Sequence, residues 1–136
     1  MFSKIITPRF GDIDGLGHIN NVIPALWFET GRMEILRIFD PELEINKKTF
    51  PLIVARTEYD FTGQLFISKD VEIKTWISKI GTKSFTVHHE CWQENKNFEK
   101  ILGVKGIAVL VHYDFNKMKS TPIPEDKKLL LMGHLK

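Results

Sequence analysis

The sequence has a single cysteine, Cys91, and a formal net charge of only +2 across 136 residues. One cysteine excludes an intrachain disulfide, so the fold cannot depend on such a bond. The charge balance is too mild to indicate nucleic-acid binding, which requires a clustered basic stripe. We therefore expect no nucleic-acid partner, although a mildly basic chain can bind a small anionic ligand.

Long apolar runs are also lacking. No stretch approaches the roughly 20 apolar residues that a membrane-spanning helix needs. The first residues, MFSK, do not form the apolar segment of a secretory signal. These absences predict a soluble, cytoplasmic protein with no membrane partner.

The composition that remains is typical of a globular protein, with 43% hydrophobic and 26% charged residues. The length suits one domain, residues 1–136. A chain of this size buries enough apolar surface to fold without a structural metal. We see no repeat or linker that would divide it.

Hydrophobic periodicity and turn residues predict an α+β fold. One long helix over 22–39 is apolar almost all round at its start, so it must be buried there. The alternating segments that surround it predict a curved antiparallel sheet wrapped around the helix. The predicted strands cover residues 2–10, 52–61, 70–79, 83–93 and 101–114, and a short terminal helix lies within 122–132.

Strand 52–61 alternates over its whole length, which predicts two distinct faces. The polar face contains Arg56, Glu58 and Asp60. The other face contains Ile53, Ala55, Thr57, Tyr59 and Phe61.

The segment RFGDIDGLGHINN, residues 9–21, places acidic, amide and imidazole groups in a glycine-rich loop directly before the helix. A helix start offers free N–H groups that favour negative charge. Such donors can stabilise an oxyanion, and a nearby carboxylate can act as base or nucleophile. The alternative is that these residues only form turns and caps. The residues concerned are Asp12, Asp14, His18, Asn20 and Asn21.

Together with WFETGR, residues 27–32, this segment resembles the signature of the 4-hydroxybenzoyl-CoA thioesterase-like branch of the hotdog superfamily. The looser matches TEYDF, GTKSF and AVLVHYD extend the resemblance over nearly the whole chain. Pro24 stands where the family usually has tyrosine.

The resemblance implies a hotdog fold, in which five antiparallel strands wrap a long central helix. It implies a homodimer or homotetramer whose sheets join edge to edge, with active sites at the dimer interface. It also implies hydrolysis of an acyl-CoA to a free acid and coenzyme A, an enzymatic activity that uses no cofactor.

By position in the motif, Asp14 corresponds to the catalytic carboxylate, as nucleophile or general base. The backbone N–H near Asn21 would hold the thioester oxygen, and His18 would orient Asp14 or the attacking water. Asn20 belongs to the same HINN element, which also occurs in acyl carrier protein thioesterases.

Coenzyme A carries phosphates, so its site needs cations or N–H donors. We expect Arg56, Lys83 and Ser84 to supply the substrate-binding groups. The mid-strand position of Arg56 indicates a paired or interfacial side chain. The hairpin of Lys83 and Ser84 offers a flexible cation and a hydroxyl.

Other functions are weaker readings of the same residues. No second histidine or cysteine lies near Asp12, Asp14 and His18, so we predict no metal site. Cys91 shares a face with apolar residues, which indicates an inert buried thiol. An acyl carrier protein thioesterase and a non-catalytic acyl-CoA-binding hotdog protein stay open as alternatives.

Overall fold

The computed structural model describes residues 1–46 and 50–136. Five long strands and one short strand form a single antiparallel sheet, and three helices pack beside it. The strands are β1 (Phe2–Ile6), β2 (Leu52–Phe61), β3 (Val71–Ile80), β4 (Ser84–Glu94), β5 (Lys100–Asp114) and β6 (Lys119–Ser120). The helices are α1 (Ile23–Gly31), α2 (Met33–Phe39) and α3 (Glu125–Met132).

The long strands lie in the order β1-β3-β4-β5-β2, and β6 pairs with the end of β5. This arrangement confirms the predicted curved antiparallel sheet. The boundaries of β3 and β4 differ by one residue from those predicted. Strand β6 was not predicted. Strand β1 is shorter than the predicted 2–10, and residues 10–12 form a short 3-10 turn instead. Among the described residues, no helix is long and apolar enough to cross a membrane.

The prediction of one continuous helix over 22–39 is wrong. The helix breaks at Arg32, whose backbone φ and ψ are −91° and 5°, between α1 and α2. The Arg32 side chain is only 6% exposed. The break lets both helices pack on the concave side of the sheet, where Phe28 and Ile35 are fully buried. Burial of each such side chain contributes about 1.5–3 kcal/mol to stability.

The predicted faces of β2 are wrong for its first half. The register with β5 shifts between Val54 and Arg56, as expected of a β-bulge, and the alternation changes phase there. Leu52 and Val54 therefore lie toward the helices, whereas Ile53 does not. After the bulge, Thr57, Tyr59 and Phe61 lie toward the helices and Arg56, Glu58 and Asp60 lie on the outer face. Most of β2 is exposed, and it forms one edge of the sheet.

The contact between α1 and the sheet is centred on Phe28. Its ring stacks on His89 of β4 with centroids 4.7 Å apart, and on Tyr59 of β2 at 6.1 Å. Gly106 of β5 permits this approach, because a Cβ atom there would lie 2.5 Å from the Phe28 ring. The helix can therefore sit close to the sheet only where β5 has no side chain.

His89 is buried beneath this contact. Its Nδ1 lies 2.9 Å from the Thr75 hydroxyl, and its Nε2 lies 3.5 Å from Nη1 of Arg32. Burial, together with the positive charge of Arg32, lowers the pKa of His89 to about 3. The imidazole is therefore neutral at physiological pH.

Replacing Gly106 with alanine tests the close approach of α1. The new methyl group overlaps the Phe28 ring, so we expect Gly106→Ala to lower the free energy of unfolding by about 1–3 kcal/mol. Gly133→Ala is the matched control, since its Cβ would make an ordinary 3.4 Å contact. Urea denaturation of the two variants measures the difference, and equal stabilities would contradict this packing.

The buried histidine predicts a specific acid sensitivity. Above the unfolded-state pKa of about 6.5, His89 is neutral in both states. As the pH falls toward 3, only the unfolded chain binds the proton, so stability is lost at up to about 1.4 kcal/mol per pH unit. His89→Gln should remove this component, so the stability difference between wild type and variant should shrink on acidification. His88→Gln, on the opposite face of β4, should leave the slope unchanged.

Candidate active site

The glycine-rich loop before α1 is anchored by a buried carboxylate, Asp12. The side chain of Asp12 accepts hydrogen bonds from the Arg9 backbone N–H at 2.7 Å and from the Arg9 guanidinium at 3.1 Å. Its carbonyl oxygen accepts the N–H of Asn20 at 2.8 Å. Burial raises the pKa of Asp12, but the hydrogen bonds from Arg9 outweigh burial and hold the pKa below its ordinary value. Asp12 thus closes the loop.

Asp14 is half-buried and organises the tip of the loop. Its Oδ1 accepts the N–H of Leu16 at 2.8 Å and that of His18 at 3.2 Å. Gly17 has a φ of +80°, which favours glycine at this position. Within the described residues, no donor lies within hydrogen-bond distance of the second carboxylate oxygen, Oδ2. One oxygen therefore shapes the turn while the other is available to a water molecule or substrate.

His18 contacts Asp14 through its main chain rather than its ring. Its N–H donates to the Asp14 carboxylate, and its carbonyl accepts the Asp14 N–H at 2.8 Å. The imidazole packs edge-on against Phe66, with ring centroids 5.2 Å apart. The His18 ring was predicted to orient Asp14. In the described part of the chain, no hydrogen bond joins the imidazole to the Asp14 carboxylate.

Gln93 holds the segment 66–69 against this loop, although it was not among the predicted site residues. The buried Gln93 amide accepts the Phe66 N–H at 2.9 Å and donates to the carbonyls of Phe66 and Lys69 at 2.7 and 2.8 Å. Phe66 is thereby fixed against His18. A signal was present, because position 93 continues the inward-facing alternation of β4 and carries a polar residue there.

Asn20 and Asn21 lie at the start of α1 but differ in their surroundings. The Asn20 side chain accepts the N–H of Val22 at 3.1 Å, and its carbonyl accepts the N–H of Ile23 at 3.0 Å. Asn20 therefore forms the turn that leads into the helix. No acceptor among the described residues takes the N–H of Asn21. That N–H is free to donate to a ligand at this helix start.

Asn21 lines a cleft of about 230 Å³ between the start of α1 and the chain that follows β2. Pro24 forms part of its wall, and Asp14 is not among its lining residues. The cleft is lined by Ile19, Asn21, Pro24, Phe61, Thr62, Gly63, Gln64, Leu65 and Val104.

The three predicted substrate-binding residues lie away from this cleft. Arg56 is exposed on the outer face of β2, where it pairs with Glu58. Lys83 and Ser84 lie in the β3–β4 hairpin, at the opposite end of the sheet from Gln93. Ser84 and Gln93 are nine positions apart along β4, which corresponds to about 30 Å of strand. One chain alone therefore does not bring Asp14 together with Lys83 and Ser84.

Residues 1–46 and 50–136 contain no cluster of side chains suited to a metal ion. No group of three or more histidine, cysteine, aspartate or glutamate side chains is close enough to hold an ion. Cys91 is buried, and burial raises the pKa of its thiol to about 12. Its thiolate is therefore too scarce for nucleophilic chemistry.

Several known proteins are similar to this chain over nearly its whole length. A protein described as a predicted thioesterase from Bacillus stearothermophilus is 34% identical, with a TM-score of 0.89 over 99% of this chain and 96% of that one. The uncharacterized protein YsmA of Bacillus subtilis strain 168 is 27% identical over 96% of this chain and 85% of its own length.

Two more distant structures share the fold and carry ligands. A thioesterase from Thermus thermophilus, in complex with coenzyme A and zinc, is 24% identical, with a TM-score of 0.78 over 96% of both chains. A mutant 4-hydroxybenzoyl-CoA thioesterase bound to 4-hydroxybenzoyl-CoA is 14% identical, with a TM-score of 0.80 over 95% of this chain and 96% of that one.

These likenesses confirm the hotdog fold. The model of the thioesterase-like superfamily matches residues 8–131 of the sequence. The chain belongs to the thioesterase-like superfamily of hotdog proteins.

Proposed function

We propose that this protein is an acyl-CoA thioesterase that uses the Asp14 loop as its catalytic site. The observation that carries the proposal is the difference between the two carboxylate oxygens of Asp14. Its Oδ1 is held by two backbone N–H groups, while Oδ2 has no donor among the described residues. A carboxylate fixed in this way can accept a proton without first reorganising. Membership of the thioesterase-like superfamily supports the same chemistry.

In the proposed reaction, Asp14 acts on the thioester as general base or as nucleophile. As a base it takes a proton from water while the water oxygen adds to the carbonyl carbon. As a nucleophile it forms an anhydride that water then opens. In both routes the carbon–sulfur bond breaks, coenzyme A leaves and takes up a proton as its thiol, and the acyl group is released as the free acid.

The carbonyl oxygen becomes negatively charged in either route, so it needs a donor in place before the reaction. The free N–H of Asn21 and the positive end of α1 can supply this stabilisation. Loss of one such donor typically costs about 10²–10³ in rate. The role of Asn20 is to shape the turn that presents this N–H.

The site is proposed to be completed by a second chain joined along β2. An exposed edge strand of ten residues has unpaired backbone groups that can pair with another copy. A two-fold axis near Thr57 pairs two β2 strands antiparallel and keeps both helix layers on one face. The beginning of one β2 then lies beside the end of the other.

This dimer would bring together residues that one chain keeps apart. The hairpin that carries the partner subunit's Lys83 and Ser84 would lie near the level of Phe61, at the end of β2 that borders the Asn21 cleft, because Ser84 aligns through Val111 with Ile53 at the beginning of β2. The partner's Lys83 is then placed to meet the coenzyme A phosphates. Arg56 would lie near the axis on the outer face, where it can pair with Glu58 of either chain.

Asp14→Asn tests the catalytic carboxylate. The amide oxygen can keep the turn, but the side chain can neither take a proton nor attack a thioester. We expect thiol release from a panel of short, medium, long and aryl acyl-CoAs to fall about 10²–10⁴-fold with the fold intact. Asp126→Asn, on α3, is the control. Near-normal rates in folded Asp14→Asn protein would remove Asp14 from the mechanism.

The β2 interface predicts the mass in solution. Sedimentation at micromolar concentration should give at least twice the chain mass of 15.8 kDa. Thr57→Lys puts two like charges close to the proposed axis and should shift the protein toward monomer, with loss of activity. A stable wild-type monomer that hydrolyses acyl-CoA at the same rate would show that one chain is sufficient.

Lys83→Ala tests the contact with coenzyme A. Because the phosphates lie far from the reacting bond, we expect the variant to raise KM up to about fivefold with little change in kcat. Added salt should reduce the difference. Lys4→Ala, on the far strand β1, is the control. An equal effect on acyl-CoA and on a truncated acyl-pantetheine would show that Lys83 does not read the phosphates.

A further inference from the structure

Arg32 is a buried cation that makes no ion pair with a carboxylate among the described residues. Its side chain is 6% exposed, and its one hydrogen-bond contact is the neutral His89 ring at 3.5 Å. No carboxylate oxygen in residues 1–46 or 50–136 lies within 4.0 Å of the guanidinium. Folded proteins pair the charges that they bury. Glu29 acts on Arg32 only from beyond ion-pair distance, so the guanidinium keeps N–H donors that the described residues leave unused.

Arg32 lines a cavity of about 200 Å³ between α1, α2 and the beginning of β2. Apart from Arg32, Glu29 and the strand segment at Ile53, the lining consists of apolar residues whose side chains face the helices: Leu36, Phe50, Leu52, Val54 and Leu110. Apolar walls with one or two polar groups are typical of small-molecule sites. The volume corresponds to roughly seven water molecules, at about 30 Å³ each.

This cavity lies beside the proposed reaction centre of the second chain. Residues 52–54 line the cavity, and Phe61 lines the Asn21 cleft. In the antiparallel β2 pair, the beginning of one strand meets the end of the other on the same face of the sheet. In the proposed dimer, an acyl chain leaving the cleft of one subunit would therefore point toward the Arg32 cavity of its neighbour.

The joined edge itself does not supply the missing anion. Glu58 and Asp60 are the acidic residues of β2, and both lie on the outer face of the sheet. Tyr59 between them faces the helices, where it packs on Phe28. A two-fold axis that keeps the helix layers on one face leaves both carboxylates on the other side. The joined edge therefore leaves the guanidinium of Arg32 open to an anionic group of a ligand.

We propose that Arg32 selects substrates whose acyl group ends in a carboxylate, namely short ω-carboxyacyl thioesters of about the length of glutaryl-CoA. The apolar walls contact the methylene groups, and the guanidinium fork binds the terminal carboxylate. Glu29, which is exposed at the same cavity, competes for Arg32 when the site is empty. This proposal rests on the proposed thioesterase function and names its substrate class.

The test compares glutaryl-CoA with its neutral isostere, glutaramoyl-CoA, on the wild-type protein. We expect kcat/KM to favour the carboxylate by about 10- to 100-fold. In Arg32→Met this ratio should fall to near one. Arg37→Met removes an exposed arginine of α2 and should keep the wild-type ratio. A wild-type ratio near one, or an unchanged ratio in Arg32→Met, would overturn the assignment of Arg32 while leaving thioesterase activity established.

Two further measurements apply if the protein hydrolyses no acyl-CoA or if the Arg32 variant does not fold. If no acyl-CoA is hydrolysed, the proposed function fails, and calorimetric binding of the same two compounds still tests Arg32. Tighter binding of glutaryl-CoA by about tenfold or more supports the assignment, and equal affinity contradicts it. If Arg32→Met does not fold, Glu29→Gln replaces it. Removal of the competing carboxylate should increase the preference for glutaryl-CoA, and an unchanged preference counts against the proposal.

Discussion

The position of α1 depends on one contact, the Phe28 ring lying on Gly106 between His89 and Tyr59. This contact fixes both the distance and the rotation of the helix on the sheet. With α1 fixed, its beginning presents the free N–H of Asn21 next to the Asp14 loop. Its end places Arg32 at the apolar cavity. The two ends of one helix thus define two different chemical environments, one suited to an oxyanion and one to a stable anion.

The second constraint is the open edge of β2. A single chain keeps its candidate catalytic loop at one end of the sheet and its cationic hairpin at the other, about 30 Å apart along β4. In the proposed dimer, antiparallel pairing of two β2 strands brings the loop of one chain toward the hairpin of the other, because the end of one strand meets the beginning of its neighbour. The bulge at Val54 supports this arrangement, since it directs Thr57, Tyr59 and Phe61 toward the helices while Arg56 remains outside.

The sequence allowed the fold to be predicted, and the glycine-rich loop before the helix to be proposed as the candidate site, because both depend on local signals. The glycine-rich motif before the helix and the alternating strands are visible in the residues themselves. The helix break at Arg32 and the bulge in β2 were missed, since each is a change of backbone angles at ordinary residues. The significance of Arg32 also depends on long-range packing, because only the fold shows that its charge is buried without a carboxylate. Gln93 was recognisable as a polar residue at an inward position, but its partners in the 66–69 loop were not.

The most direct test of the shared site is a crystal structure of the Asp14→Asn protein with a ketone analogue of an acyl-CoA, in which a methylene group separates the carbonyl from sulfur. Our account predicts a ligand that spans two chains. Its carbonyl should contact the Asn21 N–H of one chain, its acyl chain should enter the Arg32 cavity of the second, and its phosphates should approach the second chain's Lys83. A ligand bound within one chain, or a carbonyl group far from the Asp14 loop, would contradict the account.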